Sequence, residues 1–370
     1  MMTGNIIDYL EWYGDFDFSV LPFNEVDNLI LAELSYAGLA GIVPEPGADD
    51  GFIKVKDAAR RLKESGTMET SCRLEQNAGL LLYAMAEGRR YADAELGEYV
   101  DKHDFENQEQ FSALHVRLGD GSTFVSYSGT DDTILGWKED LNMAYQMPVP
   151  SQEEAVCYLE STIEKDGRPI RIGGHSKGGN LAIYAAVMCC EELRERIIAI
   201  YNNDGPGFLE SMLENEVYRE VEERITTIVP ETSVVGMLLE HGESYEVVKS
   251  TSRGFMQHDG LSWQVYRNGF VKLDERSKES LVIDKTISTW IMGLDNEQRV
   301  AFVDAVYELL TNAGVNNLSD LEHYNPSMFN IMVKETFGME PKKARMVRRI
   351  LRALITEYGR NMVKKIRDSR

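Results

Sequence analysis

The 370-residue sequence is short of several things, and each shortage closes off a class of function. Cysteine is scarce. Cys72, Cys157, Cys189 and Cys190 have no metal-ligand spacing, and the adjacent pair falls inside a helical pattern where both read as small apolar residues, so neither a disulfide framework nor a thiolate metal site is expected. No apolar run approaches the roughly 18–20 residues needed to span a bilayer. The amino-terminal MMTGNIIDYLEWYGDFDF carries acids and aromatics where a secretory leader would carry a basic and then an apolar stretch, so a cytoplasmic location is the expectation. Positive charge is outnumbered: 39 Lys and Arg against 61 Asp and Glu leave a formal charge of −22, which argues against general nucleic-acid binding by the main body. There is no internal repeat and no low-complexity tract. A Walker loop is excluded because no glycine loop ends in GK[ST], and the spacing does not fit a GxGxxG dinucleotide loop. No metal or cofactor is expected.

What is present centres on Ile170 to Ala186. Ile170, Arg171 and Ile172 form a short β-like run, Gly173 to Gly179 is crowded with glycine, and a small-residue helix follows from Asn180. Strand, tight turn and helix is the order that a nucleophile elbow needs. Gly174, His175, Ser176, Lys177 and Gly178 spell G-x-S-x-G, in which the glycines make room for a sharp turn and a strained serine. Ser176 then stands above the strand's carboxyl end, facing the amide-rich start of a helix that favours negative charge. The plainer reading of the same residues is a glycine-rich loop that holds a phosphate or nothing.

Elsewhere the periodicity divides the chain. Helical spacing begins after Asn24, a cap for Val26, Leu29, Ile30 and Leu34, and further helices are predicted between Lys56 and Lys102, clearest over Leu74 to Glu87. From Ser112 the period becomes two, with a hairpin turn at Gly119, Asp120 and Gly121. Strands then alternate with helices: the elbow strand, Arg196 to Tyr201, Ile225 to Val229, Tyr245 to Lys249 and Leu261 to Tyr266. That alternation implies right-handed crossovers and a mostly parallel sheet, hence an α/β fold with added N- and C-terminal helices. The expected division is 1–110, a helical extension packed on the core; 111–274, the α/β core; and 275–370, helical, with segments at 276–293, 295–313, 326–337 and 341–368. From Lys342 to Arg370 eleven Lys or Arg face only Glu357 and Asp368, beside a stripe of Met346, Ile350, Leu354, Met362 and Ile366. A basic amphipathic helix of this kind lies on an anionic membrane surface or binds an acidic partner. The favoured reading is that it docks on this protein's own acidic body.

Several segments together resemble the lipase-like α/β-hydrolases related to the fungal class-three triacylglycerol lipases. They are VSYSGTDD with Trp137 and Asp140 downstream, then GGHSKGG, NNDGPGF, RITTIVPETSVVG and GFMQHDGLSWQV, covering roughly 110–270 in the family's order. The amino-terminal NIIDYLEWYGDFDF and PFNEVDNLILAELSY also look like those of a bacterial branch of this superfamily known only as a domain of unknown function.

The resemblance implies a Ser, acid, His triad. Ser176 is the expected nucleophile and needs a neighbouring base. His258 is the expected base, since it follows the last acid candidate, lies in a glycine-flanked loop and matches the family's late histidine. His241 competes for that part, and His175, adjacent to the nucleophile, is expected to point away as a structural residue. The expected acid is Glu231, after the strand Ile225 to Val229, although the related lipases usually carry aspartate there; Asp204, after the preceding strand, is the second choice. The oxyanion hole is expected from the Lys177 amide and from Thr130, since Gly129 and Thr130 resemble the lipase Gly-Thr turn. The Lys177 side chain replaces an apolar residue of the family, and either an anionic substrate or an ion pair with a carboxylate such as Asp131 or Asp132 is expected to compensate it.

These residues imply a serine esterase acting on a small-molecule or lipid ester, a thioester included, through an acyl-enzyme. The alternative is a catalytically weak or silent hydrolase-fold protein used for binding or scaffolding. A peptidase is a third reading, because the same triad cleaves amides. The helices at 24–102 and 276–370 are expected to cap the site or present it to a membrane. Nothing in the sequence fixes the oligomeric state.

Overall fold

The computed structural model describes residues 3–277, apart from single positions at 50, 70, 105, 108, 132 and 144, together with a few helical positions between 300 and 345. The expected segments at 276–293, 326–337 and 341–368, the basic stretch 342–370 among them, lie outside the described residues except for isolated positions.

Helix α1 (Ile6–Tyr13) and helix α2 (Glu25–Leu34) open the chain. Each starts at an asparagine whose side chain accepts two amides, while an aspartate three residues into the helix returns the bond, a reciprocal cap that fixes the boundary. Strand β1 (Phe52–Lys54), helix α3 (Val55–Ser65) and helix α4 (Arg73–Glu87) lead into strand β2 (Glu95–Asp104). Then come β3 (Glu109–Arg117), β4 (Thr123–Tyr127), α5 (Ile134–Asn142), α6 (Pro150–Thr162), β5 (Ile170–His175) and α7 (Lys177–Met188). They are followed by α8 (Glu191–Arg196), β6 (Ile197–Asn203), α9 (Glu210–Leu213), α10 (Glu216–Val221), β7 (Ile225–Pro230) and β8 (Tyr245–Val248). A small hairpin of β9 (Val265–Tyr266) and β10 (Gly269–Phe270) precedes β11 (Lys272–Leu273).

Nine strands form one sheet in the order β1-β2-β3-β4-β5-β6-β7-β8-β11. Its parallel character is partial: β4 to β8 run parallel, whereas β1 to β4 and the β8–β11 edge are antiparallel. The expectation of a mostly parallel sheet is corrected accordingly. Two segments read otherwise in the sequence explain the difference. Residues 95–104 form strand β2 rather than helix, and Leu261 to Tyr266 contributes only β9, outside the large sheet.

The sequential strand order decides what covers each face. In a parallel sheet whose neighbours follow one another along the chain, right-handed crossovers place every connecting helix on the same side. That side holds α6, α7 and α10, packed on Phe111, Ala113, Val125, Tyr127, Ile170, Ile172 and Ile200. The other side is left to the amino-terminal helices, and α1, α2 and α4 fill it, packed on Leu114, Val116 and Phe124. The alternation along β4 shows the division directly, since Phe124 belongs to one core and Val125 and Tyr127 to the other. Helices α1, α2 and α4 are therefore a packed layer beneath the sheet and no cap over the site, while β1 and β2 from the same part of the chain extend the sheet itself. No helix among the described residues is long and apolar enough to cross a membrane.

Candidate active site

The carboxyl ends of β5 and β6 meet at one place, because His175 at the end of β5 pairs with Asn203 at the end of β6. Ser176 follows immediately and adopts φ 57°, a left-handed conformation for a non-glycine residue. Such a backbone costs about 1–3 kcal/mol and persists only where the surroundings enforce it. Here the enforcement is a bond from the Ser176 amide to Asn203 O at 2.9 Å and the abrupt start of α7. Gly178 is required by close approach: a Cβ there would run into the carbonyl of Tyr127. Asp204, one residue beyond β6, has the same uncommon handedness at φ 52°, with its amide bonded to Ile228 O at 2.8 Å.

The 3-10 segment Gly254–His258 brings an imidazole to these two strand ends. His258 Nε2 lies 2.9 Å from Ser176 Oγ, and its Nδ1 lies 2.6 Å from Asp204 Oδ2. A carboxylate accepts only, so Nδ1 carries the proton and Nε2 presents a lone pair to the hydroxyl. The loop is held by Trp263, fully buried, whose indole N–H donates to Gln257 O at 2.9 Å, and by Gln257 Oε1, which accepts the Thr232 amide at 2.7 Å. The second oxygen of Asp204 accepts the Ser233 hydroxyl at 2.5 Å. With 0% exposure, the carboxylate is bonded on both oxygens.

The carboxylate at His258 thus belongs to Asp204, the second choice, and the preference for Glu231 is corrected. Strands lie about 4.8 Å apart, and β7 is two places from β5, so Glu231 leaves the sheet about 10 Å to the side of the nucleophile. Its amide continues the ladder to Val248 O at 3.0 Å. Asp204 is one strand away. His241 is placed elsewhere too: Nδ1 faces Glu243 Oε1 at 3.1 Å and Nε2 faces Gly236 O at 2.5 Å, so neither nitrogen is offered to Ser176.

The turn after β4 lies against the elbow, since a Cβ on Gly129 would come 2.9 Å from Ser176 Cβ. The next residue, Thr130, donates its hydroxyl to Asp140 Oδ2 at 2.5 Å. Burial raises the Asp140 carboxyl to about 6, against the lowering pull of the Lys177 charge and of the Thr130 bond. The amide of Lys177 opens α7 and so has no acceptor inside the helix. Its side chain is fully buried and turned away from any substrate: Nζ donates to Gln110 O at 2.6 Å, Gln110 Oε1 at 2.8 Å and Glu139 Oε2 at 2.9 Å. Three donors meet three acceptors, which leaves nothing for an anionic ligand. Of the two compensations expected for Lys177, the ion pair with a carboxylate is the one present, but its partner is Glu139; Asp131 pairs with His103 at 2.7 Å and 132 is outside the described residues. Among the described residues no three His, Cys, Asp or Glu gather into a metal site.

Two contributors carry no signal in the sequence. Ser233 sits in an unpatterned loop after β7, and its link to Asp204 depends on a fold-back across 29 positions. Tyr36, whose hydroxyl lies 2.9 Å from His175 Nδ1, comes from the layer beneath the sheet.

Fold and site together define an α/β protein with a hydrogen-bonded Ser–His–Asp array at the carboxyl end of a mixed sheet. The chain belongs to the Mbeg1-like family, whose model matches residues 85–308, a family name that states no reaction. Among solved structures, the chain is similar to M37 lipase at 15% identity, covering 59% of this chain and 70% of that one with a TM-score of 0.34. It is also similar to a Rhizomucor miehei lipase propeptide complex at 13% identity, covering 71% and 78%, with a TM-score of 0.36. Likenesses of that size carry no weight on chemistry. A curated relative, TBC1 domain family member 31 of Xenopus laevis, is 31% identical over 102 residues; the match takes in 25% of this chain and 9% of that protein's length.

Proposed function

We propose that the chain is a serine hydrolase that cleaves a carboxylic ester through an acyl-enzyme on Ser176. The observation that carries this reading is the continuous row from Ser176 Oγ to His258 Nε2 at 2.9 Å and from His258 Nδ1 to Asp204 Oδ2 at 2.6 Å. In the first step Oγ bonds to the ester carbonyl carbon as its proton passes to Nε2, and Asp204 holds the tautomer and stabilises the imidazolium. The carbonyl oxygen takes the negative charge and is met by the amides of Lys177 and Thr130, with α7 adding its positive end. Collapse breaks the bond to the alkoxide, which receives the proton from Nε2. Water then repeats the sequence on the acyl-enzyme and releases the acid. The Thr130 hydroxyl is given to Asp140, so the Thr130 contribution in this scheme is its amide, oriented by that side-chain bond.

The substrate is a small-molecule or lipid ester. A buried, fully engaged Lys177 gives no reason to favour an anionic one. A cytoplasmic location is part of the same proposal. The scaffold alternative rests on a glutamate in the acid's place, the large helical additions and the basic tail, and the aspartate beside His258 removes the first of these. A fluorophosphonate probe tests the reading. Stoichiometric labelling that disappears in Ser176→Ala is the expected result, and folded wild-type protein that takes no label would return the chain to the scaffold class.

A further inference from the structure

The two halves of the site are joined by side chains that touch no substrate. Tyr36 follows α2 and is 7% exposed. Its hydroxyl packs on Gly129, the first residue of the turn beside Ser176, where a Cβ would run into it. The same hydroxyl lies 2.9 Å from Nδ1 of His175, and the opposite nitrogen, Nε2, lies 2.7 Å from the main-chain carbonyl of His258.

Chemistry fixes each proton in that row. A carbonyl only accepts, so Nε2 of His175 carries the hydrogen and Nδ1 is a lone pair, which the Tyr36 O–H must fill. The His175 carbonyl, 3.3 Å from the same hydroxyl, is the more distant acceptor, and Glu33, 3.6 Å from Nδ1, is too far to displace it. Burial holds the His175 pKa well below the ordinary imidazole range, and the His258 charge pushes the same way, so the ring stays neutral. The two imidazoles stand close, centroids 4.6 Å apart and planes tilted by 36°.

We infer that Tyr36 and His175 are positioning residues: they tie the Gly129–Thr130 turn to the main chain of His258, so that a residue outside the family-matched segment sets the distance between the oxyanion donors and the base. The inference rests on the hydrolase reading. Packing of the Tyr36 hydroxyl on Gly129 fixes that turn, and with it the position of the next amide, that of Thr130. Neither side chain meets the ester, so a broken relay slows the chemical step and spares binding.

The test uses the full chain, p-nitrophenyl butyrate and a fluorophosphonate label. Tyr36→Phe is expected to lower kcat by about tenfold or more, since small misplacements of reacting groups have effects of that order, with KM within about twofold and labelling slowed in proportion. His175→Gln keeps an N–H that reaches the His258 carbonyl and is expected to retain at least about fivefold more kcat than His175→Leu, a rescue that space filling alone does not produce. Should Tyr36→Phe fail to fold, the His175 pair decides. Wild-type enzyme that turns over while Tyr36→Phe and His175→Leu both stay within about twofold of it overturns the relay and leaves the hydrolase intact. A loss carried by KM overturns it equally. Wild-type protein that neither hydrolyses the ester nor takes the label overturns the hydrolase reading, and the relay with it.

Discussion

Two histidines in this chain each face a buried carboxylate, and they differ in what the second ring nitrogen meets. His258 gives Nδ1 to Asp204 and keeps Nε2 for a hydroxyl. His241 gives Nδ1 to Glu243, but its Nε2 faces the Gly236 carbonyl, so both nitrogens need hydrogens and the ring is an imidazolium. Burial alone would lower the His241 pKa, yet the bond and charge of Glu243 outweigh it and raise the value. Burial would likewise raise Glu243, but His241, with Thr227 and Tyr218, draws it down to about 2. What the second nitrogen sees therefore separates the two pairs: a hydroxyl makes a proton acceptor, and a carbonyl makes a fixed cation that clamps the loop beside Asp204.

The comparison breaks most decisively at the acids. Asp204→Asn is expected to lower kcat/KM on p-nitrophenyl butyrate by about 10⁴-fold, as loss of a triad carboxylate does elsewhere. Glu231→Gln is expected to change it by less than about twofold; the reverse order would restore Glu231 as the acid.

Next comes the clamp. His241→Gln strands the Glu243 carboxylate and is expected to destabilise the fold by about 3–5 kcal/mol in urea unfolding. The sign follows from the shifts. The raised His241 pKa gives stability that is complete below its unfolded value and fades as pH climbs through the folded one. The lowered Glu243 pKa gives stability that is complete above its unfolded value and fades as pH falls toward about 2. The gap between wild type and variant should then be widest between about pH 4.5 and 6.5 and narrow on the alkaline side. A gap that widens with rising pH would contradict the imidazolium.

Lys177→Met leaves Glu139 buried and unpaired, a loss of similar size or slightly smaller, about 3 kcal/mol, and it should slow neutral and anionic esters equally. A loss confined to anionic esters would bring the side chain back to the substrate. The smallest effect is Ser233→Ala, which removes one hydrogen bond to the Asp204 carboxylate and is expected to cost about 1.5–3 kcal/mol in the same unfolding assay.

The elbow was legible because everything it needs is local: a strand, glycines forced by close approach, and a helix, all between Ile170 and Met188. The α2 cap was legible for the same reason, since Asn24 and Asp27 are three residues apart. The nearness of His258 to Ser176 follows what chain order and resemblance imply. That Asp204 and not Glu231 lies at His258 depends on which strand borders β5, and strand order is not written in any window of residues. Strand β2 was read as helix because charges interrupt its alternation and a bulge near Glu98, at φ 55°, breaks its register. The Lys177 partner lay 38 positions away, where no local pattern reaches.

The one-sided arrangement of the crossovers has a practical corollary for anyone trimming this chain. The family-matched portion, 85–308, starts within the last turn of α4 and leaves out α1 and α2, so its sheet would emerge with an oily underside open to water. Cutting to the recognisable part removes the floor on which β4 and β5 rest, and such a fragment is expected to clump before any activity can be assayed.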